Sequence, residues 1–182
     1  MQKQSLFWLT LPLLTACSQP ALSPEEQVWQ QCDSLLQSIR LTEFPSAQFN
    51  IKDYGALAQV EGRETTLSHD AINAAIRAAH EAGGGVVIVP DSAYLTGPIT
   101  LMSNVNLHLT EGAILRFSTD VDLYYPAVET RWEGVDCYNA HPLIYALDVE
   151  NIALTGRGTL DAQGANDNWW AMCGARHYGW KE

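Results

Sequence analysis

Apolar residues recur along this chain with two different periods, and the change of period marks its parts. Between residues 66 and 85, Ile72, Ala75, Ile76 and Ala79 fall at helical spacing and form one stripe. Ser68 stands before the stripe as an N-cap. Asp70 sits in the first turn, where the helix dipole favours a negative charge, and Gly83-Gly84-Gly85 stops the helix. A phosphate-cradling glycine loop would precede its helix and carry Lys-Ser or Lys-Thr, and this triplet does neither. A second stripe, Val28, Cys32, Leu35, Leu36 and Ile39, predicts a short helix over 28–40.

After the glycines the pattern becomes one of brief β-branched runs: Val86-Val87-Ile88-Val89, Tyr94-Leu95-Thr96, Ile99-Thr100-Leu101 and Val105-Asn106-Leu107-His108-Leu109. Turn residues separate them, which predicts many short strands rather than a βαβ sheet. A phrase also repeats. Asn104-Val105-x-Leu107, followed by Gly112 and Leu115, returns as Asn151-Ile152-x-Leu154 followed by Gly158 and Leu160. A spacing of 47 residues fits two turns of about 23 each in a coiled β-architecture. Hairpins of a β-sandwich that happen to share a phrase would read the same way.

The composition places the chain among folded proteins, with 47% hydrophobic and 17% charged residues. Ten Lys and Arg against 21 Asp and Glu give a net charge of −11, which argues against a nucleic-acid partner.

Residues 1–17 have the order of a secretory signal: Lys3, an apolar run from Leu6 to Leu14 broken by Pro12, then Thr15-Ala16-Cys17. Leu14-Thr15-Ala16-Cys17 resembles the lipobox of bacterial lipoproteins. That resemblance implies acylation of Cys17, a membrane partner through that lipid, and an exported protein of the bacterial cell envelope. Ser18 after the cysteine favours the outer membrane. Residues 18–45 read as a polar linker with the short helical stretch, and 18–27, with two prolines, as a flexible spacer. Cys32, Cys137 and Cys173 remain, an odd number that leaves the pairing open. No Cys or His spacing predicts a metal, and no cofactor is expected.

Within 46–182, FNIKDYGA at 49–56, DAINAAIRAAHEAGGGVVIVP at 70–90, YLTGPITLMSNVNLHLTEGAILRFS at 94–118 and NIALTGRGTLDAQG at 151–164 resemble the N-terminal part of polygalacturonases, glycoside hydrolase family 28. The resemblance implies an all-β fold, a right-handed parallel β-helix of the pectin lyase-like kind, with an N-terminal capping α-helix over 68–82. It implies hydrolysis of α-linked galacturonan with inversion, one aspartic acid protonating the leaving oxygen and others activating water. The family carries those acids in Asn-Thr-Asp and Gly-Asp-Asp phrases, and neither occurs here. No catalytic residue is therefore assigned. The chain reads as the first few coils of a longer enzyme, with its catalytic aspartates beyond Glu182.

The partner implied is pectin or polygalacturonate, a polyanion of sugar rings, and Arg131-Trp132 offers a cation and an aromatic face for it. Trp169-Trp170 and Arg176-His177 are weaker versions of the same pairing. Asp120 and Asp122 read as a solvated turn, Asp161 and Asp167 as acids with no partner carboxylate in a matching phrase, and His69, His80, His108 and His141 as residues without catalytic roles. A non-catalytic carbohydrate-binding β-helix and a polysaccharide lyase on the same fold, which would need Ca²⁺, stand as alternatives.

Overall fold

The computed structural model describes residues 22–60 and 66–169. The signal, Cys17, Trp170, Cys173, Arg176 and His177 lie outside them. Two units are present, one ending at Leu41 and the other starting at Thr42.

The first unit holds helix α1, Pro24–Ser38. It begins four residues before the apolar stripe, inside the stretch expected to be spacer. The cause is a capping box. Ser23 Oγ accepts from the Glu26 backbone N–H at 3.3 Å, and the Glu26 carboxylate accepts from the Ser23 N–H at 2.8 Å. Pro24 occupies the first helical position, where its missing N–H costs nothing.

The second unit is built from strands β1 (Gln48–Asn50), β2 (Gly85–Val89), β3 (Ser92–Thr96), β4 (Ile99–Thr100), β5 (Val105–Leu109), β6 (Ala113–Phe117), β7 (Val128–Trp132), β8 (Val135–Asn139), β9 (Ile144–Tyr145), β10 (Ala153–Gly156) and β11 (Thr159–Asp161). Helix α2, His69–Glu81, lies between β1 and β2. Three parallel sheets run in the orders β1-β2-β5-β10, β3-β6-β11 and β4-β9. From β2 onward, the hairpin β7–β8 apart, consecutive strands in the chain therefore belong to different sheets, and each sheet grows one strand per circuit. That is a parallel β-helix.

Residues at like positions stack on one another inside it. Val87 lies opposite Leu107 and Leu107 opposite Leu154; Tyr94 lies opposite Leu115 and Leu115 opposite Leu160. The alternation in β2, β5 and β6 puts every second side chain into this interior. Val87, Tyr94, Leu107 and Leu115 are completely buried. Leu154 and Leu160 keep 45% and 42% of their exposure, because no described strand lies on the far side of β10 and β11.

The repeat spans one circuit and not two, which corrects the count of turns. A plain circuit takes 20 residues, as Gly85 opposite Val105 shows, whereas Asn106 lies directly opposite Ala153. The extra length leaves the stack as an excursion between β6 and β9, and within it β7 and β8 form an antiparallel hairpin. Asn104 and Asn151 then meet at the same corner, both left-handed at φ 66° and 52°, with Asn151 Nδ2 donating to Asn104 Oδ1 at 3.0 Å. Gly156 also has positive φ, and a Cβ there would overlap the Leu109 carbonyl oxygen of the circuit below.

A strap of residues 43–47 runs along this corner. Ala47 O accepts from Val86 N at 2.8 Å, while Glu43 exchanges two hydrogen bonds with the Asn151 amide, at 2.8 and 3.2 Å. Gly84 leaves room for it, since a Cβ there would lie 3.1 Å from Pro45 and 2.7 Å from the Asn104 carbonyl.

Helix α2 buries Ala71, Ile72, Ala75, Ile76 and Ala79 against β1, β2, β4 and β5. Asn73 fixes its rotation: the side chain donates to Pro98 O at 3.0 Å and accepts from Thr100 N at 2.9 Å. Ser68 is the N-cap residue, but its hydroxyl does not cap. It bonds the Leu57 backbone N–H and carbonyl, both at 3.2 Å, and so ties the segment before the helix to the segment after β1.

The stacked interior makes a testable distinction. Leu107→Ala empties a site filled on both sides and is expected to cost about 2–5 kcal/mol. Leu154→Ala, on the half-exposed circuit, is expected to cost roughly half of that or less. Denaturant unfolding of the two variants measures the difference.

Candidate substrate-binding face

The excursion between β6 and β9 carries the aromatic and charged residues singled out for carbohydrate contact. Its hairpin closes on Glu133-Gly134, both with positive φ, the two-residue turn whose twist suits paired strands. Directly opposed residues of such a ladder share a face. Arg131 opposes Asp136 and Glu129 opposes Tyr138, whereas Trp132 opposes Val135 and Thr130 opposes Cys137. Arg131 and Trp132 therefore point to opposite sides. They are brought together in sequence and separated in space, so one ligand ring cannot meet both from one side of the hairpin.

The two faces also differ in charge. Arg131 donates to Gly134 O at 3.2 Å and stands 3.7 Å from the Asp136 carboxylate. With Glu129 beside them, that face carries one cation and two anions. The Trp132 face holds Val128, Thr130, Val135, Cys137 and Asn139 and no charge. Trp132 is 67% exposed.

The root of the hairpin is anchored by aromatic residues that sequence reasoning did not pick out. Tyr145 Oη donates to Glu129 O at 2.6 Å, and its ring lies 5.1 Å from that of His141. His141 Nδ1 faces the Pro142 carbonyl, so this nitrogen carries the proton and Nε2 accepts from the Thr100 hydroxyl at 3.0 Å. Both nitrogens are occupied by structural bonds.

Below the hairpin lies a hollow of about 400 Å³ lined by Tyr124, His141, Pro142, Leu143, Ala162, Gly164 and Trp169. Trp169 meets Tyr124 edge to face at 5.4 Å and donates Nε1–H to Ala162 O. Burial pushes the Tyr124 hydroxyl up to about 12, with the nearby Asp120 charge adding to the effect, so it remains a donor to Ser118 O. The lining offers ring faces and apolar surface, with its polar hydrogens already engaged.

The acids take structural places. Asp120 Oδ1 accepts from Asp122 N at 3.1 Å and starts the 3₁₀ turn Val121–Tyr124. Asp161 Oδ2 accepts from Arg116 Nε at 3.0 Å while Oδ1 accepts from Gln163 N at 3.0 Å. The Arg116 hydrogen bond first, and the Gln163 amide second, hold the Asp161 carboxyl below its usual value. A general acid needs the opposite shift. Asp161 is thus a positioning carboxylate, and this pair was legible once the repeated phrases are overlaid as a single circuit: Leu115 falls on Leu160 and Arg116 on Asp161. His108, outward on β5 as expected, bonds Thr155 at 2.8 Å on the next strand. Cys32 and Cys137 are unpaired thiols. Among the described residues no three of His, Cys, Asp and Glu cluster closely enough to hold a metal ion.

No family model matches the chain. An exopolygalacturonase of Thermotoga maritima aligns with it at TM-score 0.71 and 41% identity, over 82% of this chain and 32% of that one. A family 28 exopolygalacturonase of Yersinia enterocolitica aligns at TM-score 0.56 and 31% identity, over 66% of this chain and 21% of that one.

This chain is similar to the family 28 polygalacturonases. Among curated relatives, an exo-poly-alpha-D-galacturonosidase of Dickeya chrysanthemi is 32% identical over 123 residues, 63% of this chain. The chain spans only 19% of that polygalacturonase relative and 25% of another.

The Arg116–Asp161 pair predicts a pH effect. A depressed carboxylate contributes stability above its unfolded pKa and loses it as pH falls through the folded value. Asp161→Asn should therefore lower the melting temperature at pH 7, by the equivalent of about 0.2–1 kcal/mol for a partly exposed pair. The difference from the parent should vanish in acid, below the folded pKa. Thermal melts across pH 2–7 check both signs.

Proposed function

We propose that residues 46–182 form the N-terminal circuits of a polygalacturonase-type glycoside hydrolase that cleaves α-linked galacturonan in pectin by inverting acid–base hydrolysis. The observation that carries the reading is the alignment with the Thermotoga exopolygalacturonase over 82% of the chain. In this reading α2 closes the first circuit, and the catalytic aspartates belong to circuits stacked beyond β10 and β11. The half-exposed Leu154 and Leu160 supply the apolar surface for such stacking. Asp161, ionised and salt-bridged, is unsuited to protonating a leaving oxygen.

The role of this chain in the reaction is to hold polymer. A polyanion is repelled by the face with Glu129 and Asp136 and accepted by the neutral face, where Trp132 offers an exposed ring to a pyranose. Trp132 is then the contact residue and Arg131 serves the turn. The 182-residue chain is expected to bind polygalacturonate weakly and to release no reducing ends. Trp132→Ala should lose most of that binding, while Arg131→Ala leaves it within about twofold. Calorimetric titration and a reducing-end assay read the two properties. Hydrolysis by the isolated chain, abolished by Asp161→Asn, would place the acids here and overturn the assignment.

We also infer that the protein is exported and anchored through acylated Cys17 in a bacterial envelope, on the strength of Leu14-Thr15-Ala16-Cys17 and the polar residues behind it. Mass spectrometry of the processed N-terminus should show a lipid-modified cysteine. A free terminus at any later residue is incompatible with the anchor.

A further inference from the structure

The two faces of the β7–β8 hairpin differ in shelter as well as in charge. Val128, Thr130 and Cys137 on the neutral face are half-buried, whereas Glu129, Arg131, Asp136 and Tyr138 on the other face are all exposed. The neutral face is thus the sheltered side. Trp132 and Val135, directly opposed at its tip, stand out from it at 67% and 66% exposure. We propose that this tip holds methyl-esterified galacturonate rings of pectin in preference to rings with a free carboxylate. The proposal rests on the reading of Trp132 as the residue that contacts the polymer.

Charge and desolvation together select the neutral ring. Between Val128 and Asn139 the hairpin has one cation, Arg131, against Glu129, Glu133 and Asp136. Arg131 faces away from Trp132 and is held 3.7 Å from the Asp136 carboxylate and 3.2 Å from Gly134 O. No cation of the hairpin therefore stands on the Trp132 face. A carboxylate brought there would meet a hairpin of net charge −2. It would give up water for neutral donors at best, the indole N–H of Trp132 and the hydroxyl of Thr130, with nothing to balance its charge. The net charge of −11 on the whole chain adds the same bias at low salt.

An ester removes that charge and adds a methyl group. Directly opposed side chains of a hairpin stand about 5 Å apart, so a pyranose stacked on Trp132 sets its C6 substituent within reach of Val135. The methyl group then covers apolar surface that a carboxylate would leave badly solvated. In the polygalacturonase-type reading the reacting ring lies on later circuits, so an ester held here does not occupy the ring that is cleaved.

Calorimetric titration of the full chain with one pectin preparation, before and after enzymatic removal of its methyl esters, tests the proposal on a single polymer backbone. The esterified form is expected to bind about tenfold more tightly at low ionic strength, with the gap narrowing as salt screens the repulsion. Trp132→Ala should weaken both forms. Val135→Lys should reverse their order, because a cation then stands beside the ring, and its thermal transition should match the parent because Val135 is exposed. Equal binding of the two forms, or tighter binding of the de-esterified one, would overturn the ester preference; if Trp132→Ala still abolishes that binding, the polymer-holding reading stands without it. A preference for ester that survives Trp132→Ala would also overturn the proposal, since the selecting surface would then lie elsewhere. Failure of both forms to bind would remove the polymer-holding reading and the preference together.

Discussion

Every strand in the β-helix depends on the circuit next to it for its backbone hydrogen bonds. A single circuit cannot pair with itself, because its successive strands belong to three different sheets. Stability therefore accrues by stacking, and stacking demands that each inward side chain find an apolar one on the neighbouring circuit. Val87, Leu107 and Leu154 meet this demand in one column, and Tyr94, Leu115 and Leu160 in another. The register is strict because a slip of one residue would turn an apolar column outward. The corners obey the same rule through backbone conformation: Asn104 and Asn151 both turn left-handed at one corner, and Gly156 passes the Leu109 carbonyl where no side chain fits.

That strictness leaves one freedom, the length of chain between strands. Inserting residues between β6 and β9 does not disturb the columns, because the chain returns to pair β9 with β4 in parallel. Among the described residues the excursion holds three of the five exposed aromatic side chains, Tyr125, Trp132 and Tyr138. Its hairpin has its own antiparallel ladder, and the rings of Tyr145 and His141 fix its base. The exposed rings thus sit on a part that the core does not constrain, held by a few hydrogen bonds to residues that it does.

Helix α2 and the strands β2 to β5 were legible in the sequence, since their burial follows the apolar period directly. The repeat was legible as a phrase but misleading as a length: 47 residues are close to two circuits, and the parallel pairing of Leu107 with Leu154 shows that there is one. The early start of α1 was written in Ser23-Pro24-Glu25-Glu26, where a proline read as a linker residue is a helix-opening one. Ser68 illustrates the converse. Its position marks the helix start, yet its hydroxyl is claimed by Leu57, a partner eleven residues earlier that no local rule names. The separation of Arg131 from Trp132 needed only the knowledge that they share a strand, for neighbours on a strand face opposite ways. The hollow at Tyr124 and Trp169 was not legible, because it is assembled from three segments with no common pattern.

The strap of residues 43–47 has a bearing on the order in which the molecule can form. Glu43 is bound by Asn151, a partner 108 residues later in the chain. As synthesis proceeds from the N-terminus, β2 and β5 can pair while that end of the strap still hangs free. It locks only when the third circuit arrives. The clasp ties the last described circuit to the first residues of the unit, so that fraying of either must also break a contact that spans the circuits between them.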